Sequence, residues 1–219
     1  MKLTMSTAIE NKIAESGIIA VLVIEQANLA VKVAKILINS GITAMELALR
    51  TKEAIDALKN ITGSLPEMLA GAGTVLEPHQ LIEVKNAGGD FAVSPGCNTK
   101  VLDAASEMNF PFAPGISTPS DIESAVSKGS KVLKFFHAEG MGGLKYLQAI
   151  NSPFGFKKLK YIPLGGLNPQ NMRSYLEAPE VIAIGGSWIA TSALINNQDW
   201  DQIARNADLA VQILREVRG

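Results

Sequence analysis

Ile18-Ile19-Ala20-Val21-Leu22-Val23-Ile24 is the longest run in the chain without a polar residue. It has the length of one buried strand and is too short for a bilayer, which takes about 20 apolar residues. After it, Asn28, Lys32, Lys35 and Asn39 form a polar stripe among Leu, Val, Ala and Ile, the pattern of an amphipathic helix. Gly41 sits where that helix should end. The unit recurs: further apolar runs at 44–49, 68–72, 91–93, 112–114, 132–136, 161–164 and 181–184 are separated by Gly or Pro breaks and helical patterns. Eight strands alternating with helices, most of them apolar on both faces, imply a parallel sheet covered by helices. The count favours a closed (β/α)8 TIM barrel with an additional N-terminal helix. An open doubly wound sheet is the alternative, but no Gly-x-Gly-x-x-Gly opens the first helix.

Cap residues mark the helix starts. Thr118-Pro119, with Asp121 three residues after the threonine, and Asn168-Pro169 each set a capping side chain before a proline at the first helical position. Pro78 and Asn98 read as similar starts, and Gly88 and Gly129 as further ends. No low-complexity stretch or Pro/Ser-rich linker interrupts the pattern, so residues 1–219 read as a single domain.

Bulk composition narrows the function. Hydrophobic residues make up 47% of the chain, and the formal net charge of -1 is spread without a basic cluster. That gives no electrostatic case for nucleic acid or an anionic membrane. Residues Met1 to Gly17 lack the apolar core of a signal peptide, and the single Cys97 cannot form an internal disulfide, so the expected location is cytoplasmic.

Two runs carry charges that a buried strand should not tolerate. In Val132-Leu133-Lys134-Phe135-Phe136 the lysine pays a desolvation cost as the ammonium; burial favours the neutral amine, the form that attacks a carbonyl carbon. A lysine snorkelling past a strand end, or paired for structure, is the bland account. In Ala44-Met45-Glu46-Leu47-Ala48-Leu49-Arg50, period-two alternation puts Ala44, Glu46, Ala48 and Arg50 on one face and Met45, Leu47 and Leu49 on the other. The larger apolar set should meet the helices, leaving Glu46 and Arg50 pointing into the barrel with Arg50 at its mouth. An internal ion pair is again the bland account. Together, however, Arg for a carboxylate, Lys for nucleophilic attack and Glu for proton transfer suit a keto acid.

The seventh run is followed by Gly165-Gly166 and the eighth by Gly185-Gly186-Ser187. Barrel enzymes often hold a phosphate between these two loops at a helix N-terminus, where glycine lets backbone N–H groups approach the oxygens. The substrate is therefore expected to be a small molecule with a phosphate or another anionic end. Metal chemistry has less support. His79 and His137 are far apart, Cys97 is solitary, and no ligand spacing appears. His79 reads as a surface residue and Cys97 as a packed or loop thiol.

Several strings fall in one order: Met45-Glu46-Leu47-Ala48-Leu49-Arg50-Thr51, Gly71-Ala72-Gly73-Thr74-Val75-Leu76, Ser94-Pro95-Gly96 and Pro114-Gly115-Ile116-Ser117-Thr118. They continue as Lys134-Phe135-Phe136-x-Ala138-Glu139, Gly142-Gly143 and Gly185-Gly186-Ser187-Trp188. Over essentially its whole length the chain resembles the bacterial 2-keto-3-deoxy-6-phosphogluconate aldolases, which also act as 4-hydroxy-2-oxoglutarate aldolases. The resemblance implies that Lys134 forms a Schiff base, Glu46 is the general acid/base and Arg50 binds the pyruvyl carboxylate. It further implies that Thr74 and Pro95 line the pyruvate end, that Phe136 walls the site, and that Gly165, Gly166, Gly186 and Ser187 hold a phosphate. A cytoplasmic homotrimer needing no metal or other cofactor is implied as well. Two positions depart from the family: His137 stands where proline is usual, and Leu164 where threonine is usual. Reading the residues alone also leaves open a phosphate-binding isomerase or synthase with Glu46 as base, and a non-catalytic protein binding a phosphorylated metabolite.

Overall fold

A computed structural model describes residues 5–219; the first four residues of the stretch read for a signal peptide lie outside it. Among the described residues there are nine strand segments: β1 (Ile18–Leu22), β2 (Ala44–Ala48), β3 (Leu69–Gly73), β4 (Phe91–Val93), β5 (Phe112–Ala113), β6 (Gly115–Ile116), β7 (Val132–Phe136), β8 (Lys160–Leu164) and β9 (Ile184–Gly186). Helix α1 (Thr7–Ser16) precedes them. Between and after them run α2 (Ala30–Ser40), α3 (Ala54–Ser64), α4 (Pro78–Asn86), α5 (Thr99–Glu107), α6 (Pro119–Ser127), α7 (Gly143–Asn151), α8 (Met172–Glu177), α9 (Ser192–Asn196) and α10 (Trp200–Arg218). No helix among the described residues is long and apolar enough to cross a membrane.

All strand pairings are parallel, in the order β5-β4-β3-β2-β1-β9-β8-β7-β6. The two ends of that order are one stretch of chain interrupted at Pro114. On one side Ser94 N–H donates to the Ala113 carbonyl (3.3 Å), and on the other Lys134 N–H donates to the Pro114 carbonyl (2.9 Å). The ring closes there, and nine segments make eight staves. Proline has no N–H to give to a ladder, and at Gly115 the backbone passes so close to Pro95 that a Cβ would lie 2.3 Å from its carbonyl. The expected fifth strand is thus present, broken at its centre.

Side-chain alternation divides the core as the sequence implies. Met45, Leu47, Ile18, Ala20, Leu22, Leu133 and Phe135 pack outward against the helices. Ile19, Ala44, Leu69, Phe91, Ala113, Val132 and Ile162 fill the lower barrel, sealed from below by Ile13 of α1. The N-terminal helix therefore closes the amino end of the barrel, and the carboxyl end is left for a site.

Several boundaries differ from the sequence reading, and those near the site matter most. The second strand stops at Ala48, leaving Leu49 and Arg50 in the following turn. The eighth starts at Ile184, not 181; Val181 makes a single bridge to Tyr161. Gly185 and Gly186 accordingly lie within β9, where the missing side chain at Gly185 admits Leu164: a Cβ there would meet Leu164 Cδ1 at 2.3 Å. Asn168-Pro169 opens a turn in which Asn168 Oδ1 accepts from Gln170 N–H (2.9 Å), and α8 begins only at Met172.

The start of α6 behaves as read. Thr118 Oγ1 accepts from Asp121 N–H, while Asp121 Oδ2 accepts from the N–H groups of Ser117 (3.0 Å) and Thr118 (2.9 Å) and from both hydroxyls. Burial pushes the Asp121 carboxyl up, but these bonds outweigh it and hold the group below its ordinary range. A depressed carboxylate stabilises the fold fully above its unfolded value of about 3.9 and loses that contribution as the pH falls through the folded value. Asp121→Ala should therefore be less stable than the parent at pH 7. The gap should narrow on acidification below about pH 4, as followed by urea unfolding at a series of pH values.

Candidate active site

A cavity of about 410 Å³ opens at the carboxyl ends of the strands. Its floor is an ion pair. Lys134 Nζ lies 2.8 Å from Glu46 Oε1 and 3.2 Å from Oε2, and the two residues are 4% and 3% exposed. Strands β7 and β2 stand four places apart in the ring of eight, so the pair spans the barrel from opposite walls. Sequence alternation put Glu46 inside; that Lys134 reaches it across the barrel is a property of the closed ring.

Two glycines on β3 make room for the pair and its support. A Cβ on Gly73 would sit 1.7 Å from Glu46 Oε1, and one on Gly71 would sit 2.5 Å from the Phe91 ring. The Glu46 carboxylate occupies the space that any side chain at 73 would fill. Just beyond, Thr74 has φ +59°, a left-handed conformation costly for a β-branched residue. Its neighbour Val75 donates its N–H to the Val93 carbonyl at 3.2 Å, fixing the turn that brings Thr74 to the cavity wall.

Above the pair, Phe136 faces Lys134, with Nζ 5.6 Å from the ring centroid. Arg50, Thr74, Pro95, Gly165, Gly166 and Ser187 complete the wall. The Arg50 guanidinium has no hydrogen-bond or ion-pair partner among the described residues, leaving it free for an anion. Of the residues expected at the site, Gly186 alone stays off the wall: it is held in β9 opposite Ala20 and positions Ser187. The next helices begin only at Met172 and Ser192, so no helix starts directly at either glycine loop.

Val21, Ala48, His137 and Leu164 also line the cavity. Ala48 was legible from alternation on β2, and the same rule applied to β1 would have found Val21. His137 and Leu164 stood out only as departures from a pattern. His79 is exposed in the first turn of α4. Cys97 is half-buried, and burial, reinforced by Asp121, pushes its thiol up to about 11. Among the described residues no group of three His, Cys, Asp or Glu side chains could hold a metal ion. A second cavity, about 350 Å³, lies at the opposite end of the barrel beside Thr43 and Leu69 and includes neither Lys134 nor Glu46.

The family model described as KDPG and KHG aldolase matches residues 9–206. The chain belongs to this family. The KHG/KDPG aldolase of Escherichia coli K12 is 41% identical over 206 residues, covering 94% of this chain and 96% of the relative. The 2-dehydro-3-deoxy-phosphogluconate aldolase of Dickeya dadantii is 40% identical over 94% of this chain and 95% of its own. Among solved structures, the KDPG aldolase of Legionella pneumophila, with pyruvate captured as a covalent carbinolamine, superposes with a TM-score of 0.86 at 36% identity. It covers 91% of this chain and 96% of its own. A thiamine phosphate pyrophosphorylase from Pyrococcus furiosus, at 16% identity and TM-score 0.68, shares the fold alone. This chain is an aldolase, a carbon–carbon lyase, which sets aside the isomerase and binding-protein readings.

The buried pair makes stability depend on both partners. Lys134→Met leaves the Glu46 carboxyl uncompensated and should cost on the order of 3 kcal/mol at pH 7. Lys134→Met/Glu46→Gln should recover part of that loss. Urea unfolding of the parent and both variants measures it, and a double variant no more stable than the single would contradict charge compensation.

Proposed function

We propose that this aldolase works through a Schiff base between Lys134 and C2 of a 2-keto acid. Its substrates on this reading are 2-keto-3-deoxy-6-phosphogluconate, cleaved to pyruvate and D-glyceraldehyde 3-phosphate, and 4-hydroxy-2-oxoglutarate, cleaved to pyruvate and glyoxylate. The observation that carries it is the lysine amine 2.8 Å from a carboxylate at the sealed floor of the cavity. An amine must give up its proton to become a nucleophile, and Glu46 is the acceptor in reach.

The neutral amine adds to C2, forming a carbinolamine; loss of water, with Glu46 supplying the proton, leaves the iminium. Glu46, again a carboxylate, takes the proton from the C4 hydroxyl. The C4–O electrons form the aldehyde carbonyl, the C3–C4 bond breaks, and its electron pair flows into the iminium to give an enamine. The aldehyde departs, C3 is protonated, and hydrolysis releases pyruvate and restores Lys134. Arg50 is suited to bidentate pairing with the C1 carboxylate. Thr74 and Pro95 border the pyruvate end, and Phe136 walls the reacting atoms from the barrel mouth. Gly165, Gly166 and Ser187 face the distal anion, with Gly186 acting through the placement of Ser187. The carbinolamine of the Legionella relative supports this assignment of chemistry.

Borohydride reduction in the presence of pyruvate, followed by peptide mass spectrometry, should place a pyruvate-derived adduct on Lys134. Lys134→Ala should remain folded, lose the adduct and lose pyruvate release from both substrates. A folded parent protein that traps no pyruvate at saturation would sink the reading, as would near-parental turnover in Lys134→Ala.

We further read residues 1–219 as one barrel domain, assembled as a homotrimer in the cytoplasm. The family resemblance supports the assembly, and Leu76 and Ile82, half exposed before and within α4, offer apolar surface for a second copy to cover. Sedimentation equilibrium should return three times the 23.2 kDa chain mass; a monomer would overturn the trimer without touching the chemistry.

A further inference from the structure

His137 follows the strand that carries Lys134 and Phe136, and its ring lies against the glycine pair after β8. A Cβ on Gly165 would sit 2.7 Å from His137 Cγ, and one on Gly166 would sit 3.4 Å from Cε1. The backbone holds this arrangement: Ala138 N–H donates to the Leu164 carbonyl (2.9 Å) and Glu139 N–H to the Gly165 carbonyl (3.0 Å). The ring is exposed to the cavity it lines.

Its hydrogen bonding is one-sided. Nδ1 accepts from Gly140 N–H at 3.3 Å, so the neutral ring carries its hydrogen on Nε2. Nε2 has no hydrogen-bond partner among the described residues. Nearby Glu139 is engaged elsewhere, its carboxylate accepting from the Tyr175 hydroxyl. The other ionisable groups lining the cavity are Lys134 and Glu46, paired with each other, and Arg50 beyond β2. On the side of the glycine pair, the imidazole therefore offers its Nε2–H as a free donor to the cavity. The adjacent wall is apolar, since Leu164 turns its isobutyl group over Gly185.

The geometry also sets which part of a substrate would meet the ring. Lys134 Nζ is 5.6 Å from the Phe136 centroid, and that centroid is 5.3 Å from the His137 centroid. The imidazole lines the same cavity as the reacting amine, on the side of the glycine pair after β8. A keto acid anchored through C2 would place its C1–C3 end at Lys134 and its far end by His137.

We propose that His137 is a specificity-determining residue, donating from Nε2–H to the oxyanion on the half of the substrate that leaves as the aldehyde. This rests on the Schiff-base reading above. The oxyanion is a phosphate ester in one substrate and a carboxylate in the other, and the two are separated by assay. His137→Ala should raise KM by about tenfold for the substrate whose anion it binds, the size expected for a lost hydrogen bond to a charged group, with kcat moving less. His137→Gln, which keeps an N–H donor, should recover part of the loss. The pyruvate concentration giving half-maximal borohydride trapping should shift less than twofold in either variant, since pyruvate lacks the distal half.

A rise confined to 2-keto-3-deoxy-6-phosphogluconate assigns the contact to phosphate, and one confined to 4-hydroxy-2-oxoglutarate assigns it to carboxylate; a rise for both assigns it to either anion. Unchanged KM values for both substrates in His137→Ala overturn the proposal. So does a shift in pyruvate trapping as large as the shift in KM, which would mark a structural role. A parent protein that traps no pyruvate overturns the Schiff-base reading itself, and this proposal with it.

Discussion

Placing an ammonium and a carboxylate together inside a barrel core imposes requirements on everything around them. Each charge loses its hydration, and the loss is bearable only while the other charge stays within hydrogen-bond distance. Glu46 and Lys134 come from opposite walls of the ring, so their contact depends on closure of the ring, on its diameter and on the register of β2 and β7. Gly73 yields its side-chain space to the carboxylate, and Gly71 yields its own to the Phe91 ring of the lower barrel. Below, α1 and the inward side chains of the strands close the amino end, so water reaches the pair from the cavity side.

Closure is achieved at an irregular point. Pro114 breaks the fifth stave into two short segments, one paired with β4 and the other with β7, and its carbonyl accepts from the backbone of Lys134 itself. The residue proposed as nucleophile is thus anchored to the seam of the barrel. The β7 and β8 loops are joined in the same way, by backbone bonds from Ala138 and Glu139 to Leu164 and Gly165. A site whose walls are tied by main-chain bonds keeps its side chains in place with little dependence on loop order.

The two halves of the cavity have different characters. The half around Lys134, Glu46, Arg50 and Thr74 holds the residues that the sequence resemblance assigned to the reaction and the pyruvate end. The half around His137 and Leu164 departs from it, with a ring laid on the glycine pair and an aliphatic group over Gly185. On the mechanism proposed above, the first half serves the bond-breaking step and the second receives the leaving aldehyde. Reaction type and substrate preference can therefore vary separately, because they rest on different walls.

Periodicity alone determined much of this. Alternation within 44–50 sorted Glu46 and Ala48 from Met45 and Leu47, and the recurrence of apolar runs counted eight staves, because inward and outward faces have opposite demands for apolar surface. Local chemistry also sufficed for the Thr118–Asp121 capping box, whose bonds span three residues. Other features lay beyond any single segment. The split at Pro114, the placement of Gly185 and Gly186 inside β9 and the delayed start of α8 follow from how neighbouring strands and loops crowd one another. Tertiary structure alone decided that Lys134 and Glu46, 88 positions apart, would meet, and that His137 would lie on Gly165. Distance across a closed ring depends on every stave in it, and no local pattern encodes that.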